Sequence, residues 1–292
     1  GCQMQNRAEF HDLSQQSKKS PRGAGAEVNV IQIKMSRKQM KILSVNVNGL
    51  NSPQKRKKIF LQLQKQKSDV ICIQETHVKR KDLKLLEWPR LGKLFAASDV
   101  SKKKKRVAIS IKKEWEPCLI FASEDGRIVM VEIQRESKKF LIVNIYAPNA
   151  NQEIFYKQLQ RELANKEYDH YCVIGDYNAV FDRELDIKTE KPSKKKRSTI
   201  PRNFLQLAEE LNIVDAWRTC NPKTRDYTFY SNRHKSWSRI DTCWISTNLM
   251  KELEQIHILP NTFADHNPIL LQVGTLHIAL RIKAFCAEGH YL

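Results

Sequence analysis

Polar residues able to hold a cation, move a proton or bind phosphate stand where apolar runs of this chain end. In YCVIGDYNAVFD (171–182), an apolar stretch runs into Gly175 and then presents Asp176 and Asn178. ILSVNVNG ends on Asn46 and Asn48, DVICIQET on Glu75, and LIVNIYAP on Tyr146. YTFYS contains Thr228, WSRIDTCWIS carries Asp241, and TFADHNPILL sets Asp265 and His266 before another apolar run. Gly, Asp and Asn are also ordinary turn residues, so each motif alone reads equally well as a turn. Independent turns do not supply four acids and a histidine at successive strand ends, the place where α/β folds gather their sites.

Glu75, Asp176, Asp241 and Asp265 are hard oxygen donors, suited to Mg²⁺ or Mn²⁺. With His266 as the one histidine of the set, a zinc site is not expected. A divalent cation beside one imidazole fits phosphodiester hydrolysis, the cation offsetting phosphate charge.

These residues need strands that end together. ILSVNV, DVICIQ, RVAISI, IVMVEI, FLIVNIYA, YCVIG, YTFYS, RIDTCWIS and NPILLQV read as strands, several of them continuous Val/Ile/Leu as in sheets buried on both faces. Between them lie helical stripes: Phe155, Leu159 and Leu163; Phe204, Leu207, Ala208 and Leu211, with Pro201 at the first turn; and Leu249, Leu253 and Ile256. Strands alternating with helices, together with adjacent strands that read as hairpins, predict a mixed-sheet α/β protein. Neither a linker nor a repeat interrupts 40–273, which is read as one domain. Residues 1–39, polar and without period, are expected to be a disordered tail, and 274–292 an atypical C-terminal tail.

The 292 residues carry 51 Lys+Arg against 32 Asp+Glu, a net charge of +19. Such an excess predicts a polyanionic partner, though it also serves solubility. Two basic runs stand out, Ser101–Arg106 and Lys191–Ser198. Lys102, Lys103, Lys104, Lys105, Lys194, Lys195, Lys196 and Arg197 are candidate phosphate contacts, and the second run also reads as a nuclear localisation signal. The seven cysteines are scattered without C-x-x-C pairing, as expected of an intracellular, reducing compartment. No run of about 18 apolar residues is present, so neither a membrane span nor a membrane partner is expected.

NVNGLNS, IQETH, NIYAPN, GDYNAV, YTFYS, RIDTCWIS and ADHNPI, in this order, resemble the endonuclease/exonuclease/phosphatase superfamily in its apurinic-endonuclease-like branch. The wording is most similar to the endonuclease domain of LINE-type non-LTR retrotransposons. The resemblance covers 40–273 and implies a four-layer α/β/β/α sandwich of two mixed β-sheets with outer helices. It implies Glu75 and Asn46 at the metal, with Asp265 supporting it or His266, and Asp176 orienting or deprotonating the attacking water. Asn178 would hold the phosphate or that water, and Tyr146 would contact phosphate or assist the leaving group. His266, paired with Asp241, would stabilise phosphoryl charge, while Thr228 orders the site and Asn48 faces substrate. The implied activity is Mg²⁺-dependent nicking of double-stranded DNA that leaves a 3′-hydroxyl. The alternatives are a DNA-binding remnant with weak or absent catalysis, and an abasic-site or 3′-exonuclease repair activity. Ala264 stands where relatives often carry Ser.

Overall fold

The computed structural model describes residues 28–97, 106–135, 137–164, 166–190, 197–260 and 264–285, with side chains from 39 to 274. Lys102–Lys105, Lys194–Lys196, the segment 1–27 and the segment 286–292 lie outside the described residues.

In chain order the elements are β1 (Val28–Asn46), α1 (Pro53–Lys65), β2 (Val70–Gln74), β3 (Lys93–Ala96), β4 (Ala108–Ile111), β5 (Cys118–Ala122), β6 (Ile128–Arg135) and β7 (Lys138–Tyr146). They continue with α2 (Gln152–Leu163), β8 (His170–Asp176), β9 (Ile187–Thr189), α3 (Arg202–Glu210), β10 (Ile213–Asp215), α4 (Ala216–Cys220) and β11 (Phe229–Ser231). The last are β12 (Ser236–Ser238), β13 (Asp241–Ser246), α5 (Thr247–Met250), β14 (Leu253–Ile258) and β15 (Ile269–Phe285).

Two six-stranded sheets carry the fold, one in the order β14-β15-β1-β2-β4-β3 and the other β10-β13-β8-β7-β6-β5. Both are mixed: β1–β2 and β7–β8 run parallel, while β2–β4, β6–β7 and β8–β13 run antiparallel. A core of Ile42, Cys72, Val131, Ile142, Ile174 and Ile245 fills the space between the sheets. On the outer face of the first sheet α1 buries Ile59, Phe60 and Leu63. Ser52 caps that helix and Pro53 opens it, where its missing N–H costs nothing. On the outer face of the second sheet α2 buries Phe155, Leu159 and Leu163, and α3 buries Phe204, Leu207 and Ala208. Those are the two stripes read from the sequence, and the four layers follow from them.

The third stripe folds otherwise. Leu249 lies in the four-residue α5, but Leu253 and Ile256 lie in β14, paired antiparallel with β15. Apolar spacing of four and three suits a helix, yet Ile256 and Ile258 also alternate, and the free sheet edge decides. In the second stripe Leu211 lies just past α3, which ends at Glu210, and Ile213–Asp215 then pairs with β13.

Residues 40–273 form one compact unit; the strand residues 28–39 and 274–285 belong to a second. Strand β1 begins at Val28, inside the stretch that composition marks as a tail. The alternating VNVIQIKM there is a period-2 signal that the surrounding Gln, Ser and Lys content obscures.

Candidate active site

Five strand termini meet at one edge of the sandwich. β1 stops at Asn46, β2 at Gln74, β7 at Tyr146 and β8 at Asp176, while the antiparallel β13 starts there at Asp241. Register places Tyr146 beside Asp176 and Asp176 beside Asp241, one row across the second sheet. Gly175 makes this close pairing feasible. At its φ of +144°, a Cβ would lie 2.1 Å from the carbonyl oxygen of Ile145 on β7.

A cavity of about 240 Å³ opens over this edge. Asn46, Asn48, Glu75, Tyr146, Asp176, Asn178, Arg197, Asp265 and His266 line it, all of them singled out from the sequence. Asn149, Phe229 and Ile240 line it as well and were not. Each sits inside a quoted motif (NIYAPN, YTFYS, RIDTCWIS): Asn149 lies three residues past the end of β7, and Phe229 and Ile240 are apolar walls. Phe229 packs its ring against His266 at 4.6 Å between centroids, and the Arg197 guanidinium lies 5.4 Å over the same ring.

The two sheets contribute opposite halves. From the first, Asn46 Nδ2 donates to Glu75 Oε1 at 3.1 Å and, across the sandwich, to Asp176 Oδ2 at 3.0 Å. Its Oδ1 accepts from the Asn48 N–H at 3.0 Å. Asn46 therefore ties two carboxylates together through its NH₂, and its oxygen is already engaged. Asn48 Nδ2 reaches Asp265 Oδ2 at the exposed rim, at 3.2 Å. From the second sheet, the Asn178 N–H donates to Asp176 Oδ1 at 2.8 Å, and its side chain donates to the Ala147 carbonyl.

Behind the cavity, His266 Nδ1 lies 2.8 Å from Asp241 Oδ2. Thr228 is buried and does not line the cavity; its hydroxyl accepts the N–H groups of Ile240 and Asp241 and so fixes where β13 begins. Arg239, buried two residues before Asp241, is held by Asp186 and Asp215 in a network of charged hydrogen bonds.

The local backbone is unusual. Asn48, Glu75, His77 and Asn178 all have φ between +46° and +55°. Asn tolerates this left-handed region, but Glu and His rarely enter it, and such conformations concentrate at working sites. His77, another residue the sequence reading did not pick out, places Nε2 3.0 Å from Glu75 Oε2.

Electrostatics separate the acids. Burial pushes Glu75 up, but hydrogen bonds from His77, Tyr146 and Asn46 outweigh it and hold the carboxyl at about 2. Burial and the neighbouring Asp241 charge push Asp176 up to about 7, against the pull of His266 and the Asn178 N–H. Burial opposes charge on His266, yet Asp241, then Asp176 and Asp265, raise it to about 9. Burial and Glu75 drive the Tyr146 hydroxyl well above its ordinary value, so it stays protonated. At neutral pH the cavity thus holds an ionised Glu75, an Asp176 poised between its two forms, and a positively charged imidazole.

Two groupings could receive a cation. Asp176, Asp241 and His266 bring ligand atoms within 4.8 Å of one another. There the imidazole already carries its proton and shares it with Asp241, which disfavours a metal bond. Glu75 and, at the rim, Asp265 line the same cavity and offer oxygen atoms alone, without closing into a cluster as tight as the first. That chemistry fits a hard divalent ion.

Residues 43–266 match the Endonuclease/Exonuclease/phosphatase family. Over 245 residues the chain is 26% identical to an uncharacterized 149 kDa protein of transposon TX1 from Xenopus laevis, covering 80% of this chain but 18% of that protein. It is 28% identical over 275 residues to a DNA-(apurinic or apyrimidinic site) endonuclease of Dictyostelium discoideum, covering 82% of this chain and 72% of the relative. The fold superposes on the AP endonuclease of Leishmania major with a TM-score of 0.69 at 19% identity, over 80% of this chain and 87% of that one. With the sandwich, the shared edge and the acid–imidazole cluster in place, this match over 43–266 means that the chain belongs to the Endonuclease/Exonuclease/phosphatase family and is a hydrolytic phosphodiesterase.

Proposed function

We propose that the chain is a Mg²⁺- or Mn²⁺-dependent endonuclease of retrotransposon type that nicks double-stranded DNA and leaves a 3′-hydroxyl and a 5′-phosphate. The observation that carries this reading is the convergence, in one cavity, of Glu75, Asp176 and a His266 bonded to Asp241 at 2.8 Å, with burial and Asp241 pushing Asp176 up to about 7. A carboxylate at that value can take a proton from water at neutral pH, and the adjacent imidazolium can stabilise charge on the phosphoryl oxygens.

Asp176 accepts the proton of the attacking water, and Asn46 and the Asn178 N–H hold its carboxylate in place. Asn178 and Arg197 face the phosphate, Arg197 supplying a second positive charge. Asp241 keeps the His266 proton on Nδ1 and leaves Nε2 to donate to a non-bridging oxygen. The Tyr146 hydroxyl, protonated throughout, stands beside the leaving oxygen. Glu75, with Asp265 at the rim, would hold the divalent ion, which when bound offsets phosphate charge. The +19 charge of the chain favours a polyanion as substrate.

Relaxation of supercoiled plasmid by the full chain, in Mg²⁺ and in EDTA, tests this reading. Nicking that needs the cation and disappears in Glu75→Ala, with DNA binding retained, is expected. Binding without nicking by the wild-type chain would mean that the fold persists without its chemistry.

The similarity to proteins named as AP endonucleases favours a second reading, incision at abasic sites. A duplex carrying one abasic analogue, run beside the intact duplex, separates the two. Preference for the analogue by roughly 10²-fold or more, about 2.7 kcal/mol of discrimination, would favour it.

A further inference from the structure

The inward-facing rows of the central strands change character at the same depth. Met40, Ile42, Val70, Cys72, Phe140, Ile142, Cys172 and Ile174 are apolar and fully buried. One step nearer the cavity, the rows continue as Ser44 on β1, Gln74 on β2 and Asn144 on β7, all at most 3% exposed. One step further come Asn46 and Tyr146, with Glu75 next to Gln74. A polar layer thus lies between the apolar core and the reacting groups.

Its members bond across the sandwich. Gln74 Nε2 donates to Asn144 Oδ1 at 2.7 Å and to Ser44 Oγ at 3.0 Å. Asn144 Nδ2 donates back to the carbonyls of Ile73 and Ala108 on the first sheet, at 3.1 and 2.9 Å. Gln74 Oε1 is buried and has no partner among the described residues. A buried unpaired acceptor costs about 1–3 kcal/mol, and an apolar pair would fill the same space without that cost. Stability alone does not account for this layer.

We propose that Gln74 and Asn144 are a positioning pair that sets the Glu75 side of the cavity against the Tyr146 side. The inference rests on reading the cavity as a phosphodiesterase site. Apolar contact between two sheets is non-directional, so the sheets can slide by a fraction of an ångström at little cost. The site is divided between them: Asn46 and Glu75 belong to the first sheet, Tyr146, Asp176 and Asp241 to the second. A displacement of about 1 Å between such halves is enough to lower turnover by about 10². The Gln74–Asn144 bridge sits one residue from Glu75 and two from Tyr146, where it opposes that slide most directly.

The test is the double variant Gln74→Met/Asn144→Leu, in which both polar partners and the unpaired Gln74 Oε1 leave together, while Ser44 Oγ loses its Gln74 donor. Its melting temperature is expected to stay near wild type, because the orphan removed at Gln74 offsets the one left at Ser44. With KM and cation-free DNA affinity unchanged within about twofold, kcat should fall by about 10–10². A merely structural pair would move the melting temperature and leave kcat alone; wild-type kcat in the folded double variant overturns the proposal. Asn144→Leu alone removes all three cross-sheet bonds of the pair and serves should the double variant not fold. It too should lose kcat at constant KM, and wild-type turnover there also overturns the idea. Crystal structures of wild type and variant supply the readout that needs no activity, the spacing between the Tyr146 hydroxyl and the Glu75 carboxylate. An unchanged spacing sinks the positioning role even if the wild-type chain nicks nothing, whereas a widened spacing with no wild-type nicking sinks only the nuclease reading.

Discussion

At the scale of single residues, the site is a set of pKa values pushed apart by neighbours. Asp176 takes up its proton as pH falls through about 7, and His266 loses its own as pH rises through about 9. Water attack needs the first group without its proton and the second with it. Nicking rate should therefore climb to a plateau between these values and decline above about 9. A divalent ion near Asp176 favours the carboxylate, so it moves the lower limb down and leaves the upper limb with His266. Asp241→Asn isolates the cause of the upper limb. Without the Asp241 charge, burial dominates and the imidazole loses its proton at lower pH. That limb should fall by at least about 1 unit and kcat by about 10². The pH–rate profile, checked by following the His266 ring resonances in an NMR titration, decides this; a limb that stays near 9 refutes the dyad. The residue types behind this behaviour were legible in the sequence, because each stands at the end of an apolar run. Their separation was not, since it depends on burial and on the contact of Asp176 with Asp241, 65 positions away, which only the β8–β13 register supplies.

At the scale of elements, the site depends on how closely β7, β8 and β13 approach and on what fixes their ends. Gly175→Ala forces a Cβ against the Ile145 carbonyl at a backbone angle that side chains avoid. A loss on the order of 3 kcal/mol is expected, a fall in melting temperature of roughly 6–12 °C. An unchanged melting curve would mean that the β7–β8 spacing is slack. Arg239, 1% exposed between Asp186 and Asp215, fixes the entry to β13. Arg239→Met should cost about 3–5 kcal/mol because it leaves the buried Asp215 without its cation and Asp186 with Arg218 alone. Denaturant titration measures the cost, and a value below about 1 kcal/mol would show that the carboxylates find other partners. The same elements mark the limit of reading from pattern. Continuous Val/Ile runs marked the central strands, and the stripes of α2 and α3 were unambiguous because Phe155, Leu159 and Leu163, or Phe204 and Leu207, have no strand-like alternation. Leu253 and Ile256 keep helical spacing while Ile256 and Ile258 alternate, and the edge of a sheet chose the strand. Of the small sheet β11-β12-β9, β11 is legible within YTFYS, whereas the three-residue β9 and β12 are too short to establish a period.

At the scale of the whole molecule, a divided sandwich and a large positive charge answer different needs. The sandwich brings two sets of strand ends to one edge, so that groups far apart in sequence, Asn46 and Asp176 among them, share a hydrogen bond. The charge acts beyond that edge. Among the described residues, Arg197 is the one member of the two basic runs that lines the cavity, and it comes from the second run. The first run, Lys102–Lys105, carries four positive charges in succession in a chain with an excess of 19. If these lysines lie along bound DNA, each phosphate they neutralise releases counterions and steepens the dependence of affinity on salt. Replacing Lys102–Lys105 with Gln should then flatten the slope of log Kd against log salt by up to about 0.9 for every phosphate left without its lysine. Affinity should weaken for any DNA sequence alike, because phosphate contacts fix position without reading bases. kcat at saturating DNA is expected not to change, since phosphate contacts of this kind act on binding. Binding isotherms from about 50 to 200 mM salt measure the slope. An unaltered slope would mean that the run is solvated and that the polyanion is held elsewhere, with Arg197 and its neighbours the first place to look.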